Sequence, residues 1–183
     1  MASRDEVVAR LAEVFRTHGY EGASLARIGA GTGLGKGSMY NFFPGGKEEM
    51  AQAVLAHIDA WFRSEVFYPL RAKDDSGAGV ARMLDAVELY FRSGRSVCLL
   101  GVFALGYERD LFAQTIRAYF AEWIAALAAA LQLGGLAPTE AVAMAEETVG
   151  AIQGALVLAR AADDAALFTR AMARLRLRLG SVP

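Results

Sequence analysis

Cysteine is nearly absent from this 183-residue chain: Cys98 stands alone, which excludes an internal disulfide framework. Histidine is almost as scarce. His18 and His57 lie far apart, and with a single cysteine they offer no metal-ligand spacing. No Ser-His-Asp, Cys-His or paired-His pattern is arranged for nucleophilic or acid–base catalysis, so an enzyme is disfavoured and neither metal nor cofactor is expected. There are only 4 prolines, and no stretch alternates apolar and polar residues for long, which argues against strands. No unbroken apolar run reaches the length of a membrane span of about 18 residues. The richest, Trp123 to Leu133, is interrupted by Gln132 and ended by Gly134-Gly135. Acids at Asp5 and Glu6 stand where a signal peptide needs bases, so a cytoplasmic protein without a membrane partner is expected.

What the chain does have is apolar mass: 55% of its residues are hydrophobic. Oligomerisation that hides an apolar surface, or an internal cavity, would account for that excess. The net charge of −1 argues against a general nucleic-acid coat, and the first fifty residues balance 6 basic against 6 acidic side chains. Distribution says more. From Gly22 to Lys47 there is no Asp or Glu, while Arg27, Lys36 and Lys47 all fall there. Such a stretch suits a small phosphate-facing patch; chance spacing of charges is the bland alternative.

Apolar residues recur at helical spacing throughout, and the fold expected is all-α with about nine helices. Val7, Val8, Leu11, Val14 and Phe15 share one face of a first helix, which Ser3 and Glu6 start as a capping box and His18-Gly19 ends. Ser24 caps a short second helix, Gly33 breaks it, and a third runs from about Lys36 to Phe43. A fourth runs from Lys47 past Trp61 and Phe62 towards Tyr68-Pro69, and Arg71 to Gly79 reads as a surface loop. Helices are then expected at 80–94, 96–106, 109–133, 139–161 and 164–179, with Asp110, Thr139 and Asp163 or Asp164 as caps.

Two short helices around a glycine turn make a helix-turn-helix. Ile28, Leu34, Met39 and Phe42 or Phe43 fall where the helices must share a core, and Gly29 where they approach closely. The stretches His18 to Ile28 and Gly33 to Glu48 (Gly-Leu-Gly-Lys-Gly-Ser-Met-Tyr-Asn-Phe-Phe-Pro-Gly-Gly-Lys-Glu) together resemble the first-helix exit, recognition helix and fourth-helix start of the TetR family. Gly35 stands where that family usually has Ser or Thr, and Phe42 where it usually has His or Tyr. The resemblance implies a DNA-binding domain over 1–47 and a helical effector-binding and dimerisation domain over 48–183. Recognition-helix geometry makes Lys36, Ser38 and Asn41 the base-reading candidates, with Gly37 letting the backbone approach DNA and Gly35, among the DNA-binding candidates, as the helix cap without a hydroxyl. Ser24, Arg27, Tyr40 and Lys47 are the phosphate candidates.

Val97 to Leu105, with Cys98-Leu99-Leu100-Gly101 at its centre, is similar to a segment of one branch of that family. The implied C-terminal domain encloses an effector pocket, for which Met83, Phe91, Cys98, Phe103, Tyr107, Phe112, Tyr119, Trp123, Met144 and Gln153 are the candidate lining; plain core is the alternative reading of each. Scarce charge there suits an apolar or aromatic effector, neutral or cationic, of unknown identity. Cys98, three residues from Arg95, reads either as a thiolate switch or as a small buried hydrophobe. Val142, Val149, Ile152 and Leu156 share one helical face and Phe168, Met172 and Leu175 the next, and these are the candidate homodimer interface. The function expected is a ligand-responsive repressor on a near-palindromic operator. The alternative is a small-molecule-binding protein of the same fold that no longer reads DNA.

Overall fold

A computed structural model describes residues 2–72 and 76–181, Ser76 by its backbone only, and among them every regular element is helical. Lys73 to Asp75 of the expected surface loop lie outside the described residues. Nine helices follow one another: α1 (Arg4–Gly22), α2 (Leu25–Thr32), α3 (Lys36–Phe42), α4 (Gly46–Phe62), α5 (Ser76–Tyr90), α6 (Leu99–Leu105), α7 (Ala113–Leu133), α8 (Pro138–Ala162) and α9 (Ala166–Gly180). The rod of α4 continues through a π turn (Arg63–Phe67) into a last α turn (Tyr68–Leu70). Pro69 lacks an N–H for the ordinary i→i−4 bond, and the widened turn ahead of it lets Tyr68 N–H donate to the Arg63 carbonyl.

The helices gather into two compact units, the first running to Ala60 with Leu99–Ile116, the second formed by Trp61–Cys98 and the chain from Arg117 onward. In the first, the α1 stripe of Val7, Val8, Leu11, Val14 and Phe15 is buried, as are Ile28, Met39, Phe43, Met50 and Val54 of the following helices. Burying Phe15 alone is worth about 2–3 kcal/mol. The capping box forms as expected: Ser3 Oγ accepts from Glu6 N–H at 3.2 Å while Glu6 Oε2 accepts from Ser3 N–H at 2.9 Å. Gly19, at φ 67°, breaks the helix and turns Tyr20 inward.

The second unit is built around Phe62, with the rings of Tyr90, Tyr119 and Trp123 centred 5.0, 5.0 and 5.2 Å away. Trp123 Nε1 donates to Met83 Sδ at 3.5 Å. Glu122 ties Arg63 and Arg71 together at 2.6 and 3.0 Å, and Arg176 of α9 reaches Asp85 and Glu88 of α5 at 2.7 and 2.8 Å. These pairs are partly exposed and each contributes less than about 1 kcal/mol.

Several helix ends differ from the expected ones. Pro138 takes the first position of α8, so Ala137 and not Thr139 is its cap. Asp110 pairs with Arg109 ahead of α7 instead of capping it. Asp164 Oδ1 does accept from Ala166 N–H at 2.9 Å at the start of α9. The helix expected to reach residue 94 stops at Tyr90 and the one expected from 96 begins only at Leu99, because Arg92, Ser93 and Gly94 all adopt positive φ. Finally, α7 and α8 are long and apolar enough to cross a membrane by length and composition, which a search for unbroken apolar runs does not find; 44% and 39% of those stretches are buried inside the protein.

Candidate nucleic-acid interface

The α2–α3 turn is fixed from both sides. Gly33 adopts φ 75°, ψ 13°, the left-handed conformation that ends a helix cheaply only in glycine, and its N–H donates to the Gly29 carbonyl. Thr32 is buried just ahead of it; its hydroxyl donates to the Ile28 carbonyl at 2.7 Å and accepts from Leu34 N–H at 3.3 Å. Arg10 of α1 donates to the Thr32 carbonyl at 2.9 Å, satisfying one of the open C-terminal acceptors of α2. Neither Arg10 nor Thr32 stood out in the sequence, although a threonine directly before a helix-ending glycine is a local signal for such a bond. Gly29 is where α2 and α3 meet: a Cβ there would lie 3.2 Å from the Leu34 carbonyl oxygen.

Geometry follows from which side chains that turn leaves outside. Met39 alone of α3 is buried, as are Ile28 ahead of it and Phe43 just after it, while Phe42 is half-buried; the shared core therefore uses Phe43. Lys36, Gly37, Ser38, Tyr40 and Asn41 are all exposed on the opposite side. Gly35 is the N-cap of α3 and offers no side-chain hydrogen bond, and a Cβ at Gly35 or Gly37 would meet nothing within 4 Å. The backbone there is bare, and the N-terminal N–H groups of α3 stay open to an acceptor. Tyr40 leans towards Gly46, whose φ of 69° launches α4.

The phosphate candidates divide. Ser24 is exposed at the N-terminus of α2 and its Oγ accepts from Arg27 N–H at 3.3 Å, as a cap should. Arg27 is exposed, but its guanidinium donates to the Gly22 carbonyl at 2.7 Å and lines a groove between α1 and α2. Lys47 is half-buried in the first turn of α4, donating to the Tyr20 carbonyl at 3.1 Å. Tyr20 itself was not singled out from the sequence as a site residue. Burial first, and then the charges of Glu48, Glu21 and Glu108, push its hydroxyl above the usual tyrosine range.

The candidate pocket residues do not form one group. Met83, Phe91, Cys98, Tyr119 and Trp123 are buried together in the second unit, whereas Phe103 and Phe112 stack on each other at 5.4 Å in the first. Tyr107 is 99% exposed at the turn before α7 and lines no interior, a correction to the expected lining. Met144 and Gln153 sit half-buried on α8, and Gln153 Nε2 is buried without a hydrogen-bond partner. A separate cleft of 350 Å³, missed in the sequence, opens between α5, α7 and α9 against Val80, Leu84, Leu131, Leu179 and Arg176. The dimer candidates need a larger correction. Val149, Ile152, Leu156, Phe168, Met172 and Leu175 are buried inside this chain, where α8 packs on α9; only Val142 is exposed. Helical periodicity marks the buried face and does not say whether the cover is another helix or another chain.

Comparison with known proteins agrees with this geometry. A family model described as bacterial regulatory proteins, tetR family, matches residues 7–54, and one described as the C-terminal domain of LmrA/YxaF-like transcriptional regulators matches residues 78–174. The HTH-type transcriptional regulator LmrA of Bacillus subtilis (strain 168) is 25% identical over 166 residues, which covers 88% of each chain. The uncharacterized HTH-type regulator YxaF of the same organism is 25% identical over 166 residues, 88% of this chain and 87% of its own. Among solved structures, a TetR regulator from Legionella pneumophila superposes with a TM-score of 0.83 at 18% identity over 97% of both chains. A cysteine mutant of the TetR family regulator CifR, complexed with double-strand operator DNA, superposes with a TM-score of 0.78 at 26% identity, covering 99% of this chain and 97% of its own. A glycine-turned helix pair with an exposed second helix, inside a chain matched at both ends by models of one family, has one reading: this chain belongs to the TetR family of bacterial regulatory proteins, which are DNA-binding transcriptional regulators and not enzymes.

Proposed function

We propose that this protein is a ligand-responsive repressor that binds a near-palindromic operator in the cytoplasm as a homodimer and leaves it when a small molecule binds. The observation that carries the reading is α3, a short helix with Met39 turned in and Lys36, Ser38 and Asn41 turned out around a bare glycine backbone. Residues 1–47 read the DNA in this proposal, and residues 48–183 sense and dimerise. Lys36, Ser38 and Asn41 meet base edges, while Ser24, Tyr40 and Lys47 hold phosphates beside helix N-termini. Arg27 joins the phosphate set if its bond to Gly22 is exchanged for one to DNA.

The homodimer uses the exposed side of α8 and α9, not the side expected from periodicity. Val157 and Leu158 are each 58% exposed there, and a Cβ at Gly150 or Gly154 would meet nothing within 4 Å. Between them and α9 runs a groove lined by Ala151, Leu158, Leu167 and Arg174, an apolar floor with a charged rim. For the effector, Gln153 Nε2, buried on α8 without a hydrogen-bond partner, supports a molecule carrying a hydrogen-bond acceptor, and the many apolar and aromatic side chains buried in the second unit suit an apolar or aromatic one.

Selection of bound duplexes from a random pool, followed by affinity measurements on the selected site, tests the reading. Lys36→Ala is expected to lose preference between the selected site and a single-base variant of it, by roughly 1–3 kcal/mol. Lys47→Ala is expected to weaken both equally and to flatten the salt dependence. No enrichment in the selection would favour a small-molecule-binding protein that keeps the fold without reading DNA.

A further inference from the structure

Lys47 is in an electrostatically awkward place. It lies in the first turn of α4, where the helix macrodipole presents its positive end and an ammonium is disfavoured. The acids expected at such a position are present next to it, as Glu48 and Glu49, and Glu49 Oε2 accepts from Gly45 N–H at 2.6 Å. Helix stability therefore does not explain the lysine; something else holds it there. That something is one residue of the first-helix exit. Lys47 Nζ donates to the Tyr20 carbonyl at 3.1 Å and stands 4.3 Å from the centre of the Tyr20 ring, over its negative face.

Tyr20 is itself immobilised. Gly19 reverses the chain, and the Tyr20 ring then packs on Phe15, Phe103 and Phe112 with centres 6.1, 5.9 and 5.4 Å away. Phe15 and Phe103 also meet edge to face at 6.0 Å. A ring held on three sides by rings, and 9% exposed, keeps one position. Two of the interactions that a flexible lysine needs to give up its freedom are thus built in before DNA arrives, and further N–H bonds of the ammonium remain for an anion.

We propose that Tyr20 is a positioning residue for DNA binding: its carbonyl and ring pre-orient the Lys47 ammonium at the N-terminus of α4 for a backbone phosphate. This rests on the reading of Lys47 as a phosphate contact. The entropy of ordering the lysine is spent in folding, so the contact forms at lower cost on binding.

The test is the salt dependence of binding, by fluorescence anisotropy of the full-length protein on the duplex it selects and on a mixed-sequence duplex of equal length. Lys47→Ala is expected to flatten the slope of log affinity against log salt by about 0.9 per subunit. Tyr20→Leu, which removes the ring and leaves the carbonyl, is expected to weaken both duplexes by about two- to fivefold, with a slope shifted towards that of Lys47→Ala. Tyr20→Phe is expected to restore both values, and Tyr20→Leu combined with Lys47→Ala to be no weaker than Lys47→Ala alone. Additive losses, or a Tyr20→Leu slope equal to wild type, would overturn the positioning role while leaving Lys47 as a phosphate contact. A Lys47→Ala slope equal to wild type would remove the phosphate contact and the proposal with it. A readout without substitution guards against misfolding of Tyr20→Leu. In the wild-type protein the Lys47 ε-methylene protons are expected upfield, in the ring current of Tyr20, and to shift on addition of duplex; ordinary lysine shifts in both states would sink the idea.

Discussion

At the scale of single residues, the side chains left exposed on α3 were legible because a helix-turn-helix leaves few choices. Ile28 and Met39 must turn inward to close the pair, and what remains on α3 must turn outward. Tyr20 and Arg10 were not legible, since each acts through a bond between a side chain and a backbone carbonyl more than twenty residues apart in sequence. Tyr20 also gives a pH prediction. Burial and three neighbouring carboxylates raise its folded pKa above the ordinary 10.0. The folded state therefore holds that proton more tightly than the unfolded state. The resulting stability is whole below about pH 10 and is lost as pH rises through the folded value. Urea midpoints followed from pH 8 to pH 11 are expected to fall more steeply on the alkaline side for wild type than for Tyr20→Phe. Parallel curves would show that the phenol does not contribute.

At the scale of elements, the serine caps of α1 and α2 were legible, the expected caps Asp110 and Thr139 were not found in that role, and breaks made by tertiary packing were not legible. Ser3 and Ser24 accept the N–H bonds expected of them, because a capping residue works within its own turn. The interruption after α5 has no comparable local cause. Gly94 is at φ +90°, and a Cβ there would lie 2.6 Å from Phe168 Cβ and 3.1 Å from the Ala165 carbonyl oxygen. The start of α9 thus presses on the turn, and Arg92 and Ser93, at φ 50° and 53°, lie in the left-handed region just ahead of the glycine. Periodicity alone could not contain that contact, which spans more than seventy residues of sequence. Gly94→Ala combines a disallowed φ with an overlap against a buried ring, and a loss of about 2 kcal/mol or more is expected in urea denaturation. Gly150→Ala, open to solvent within this chain and helical, serves as the contrast and is expected to hold or raise stability of the isolated subunit.

At the scale of the whole molecule, the all-helical architecture was legible from composition and spacing, whereas the surface proposed to meet a second copy was not. Ile152 and Leu156 belong to the apolar face of α8 that periodicity marks, yet they are already buried within this chain, whose α8 packs on α9. The face left for a partner is weaker in hydrophobicity and rich in small residues: Gly150, Ala151 and Gly154, with Val157 and Leu158 beyond them. Small side chains allow two helix backbones to approach, and the exposed Arg174 and the Arg178–Glu147 pair supply a charged border that disfavours wrong registers. Two consequences separate this face from the expected one. Leu158→Glu places a carboxylate at the centre of the proposed interface without disturbing the chain's own core. It is expected to sediment as a folded monomer with unchanged helical circular dichroism. Ile152→Ala empties space inside the core and is expected to cost about 2–5 kcal/mol of unfolding stability while the protein still sediments as a dimer. Affinity for the selected duplex should follow the first variant and not the second. A monomer contacts one half-site, so its phosphate contacts, and with them the slope of log affinity against log salt, are halved. A dimeric Leu158→Glu protein would move the interface elsewhere, and a monomer that binds the selected duplex with the wild-type slope would separate operator recognition from two-fold symmetry altogether.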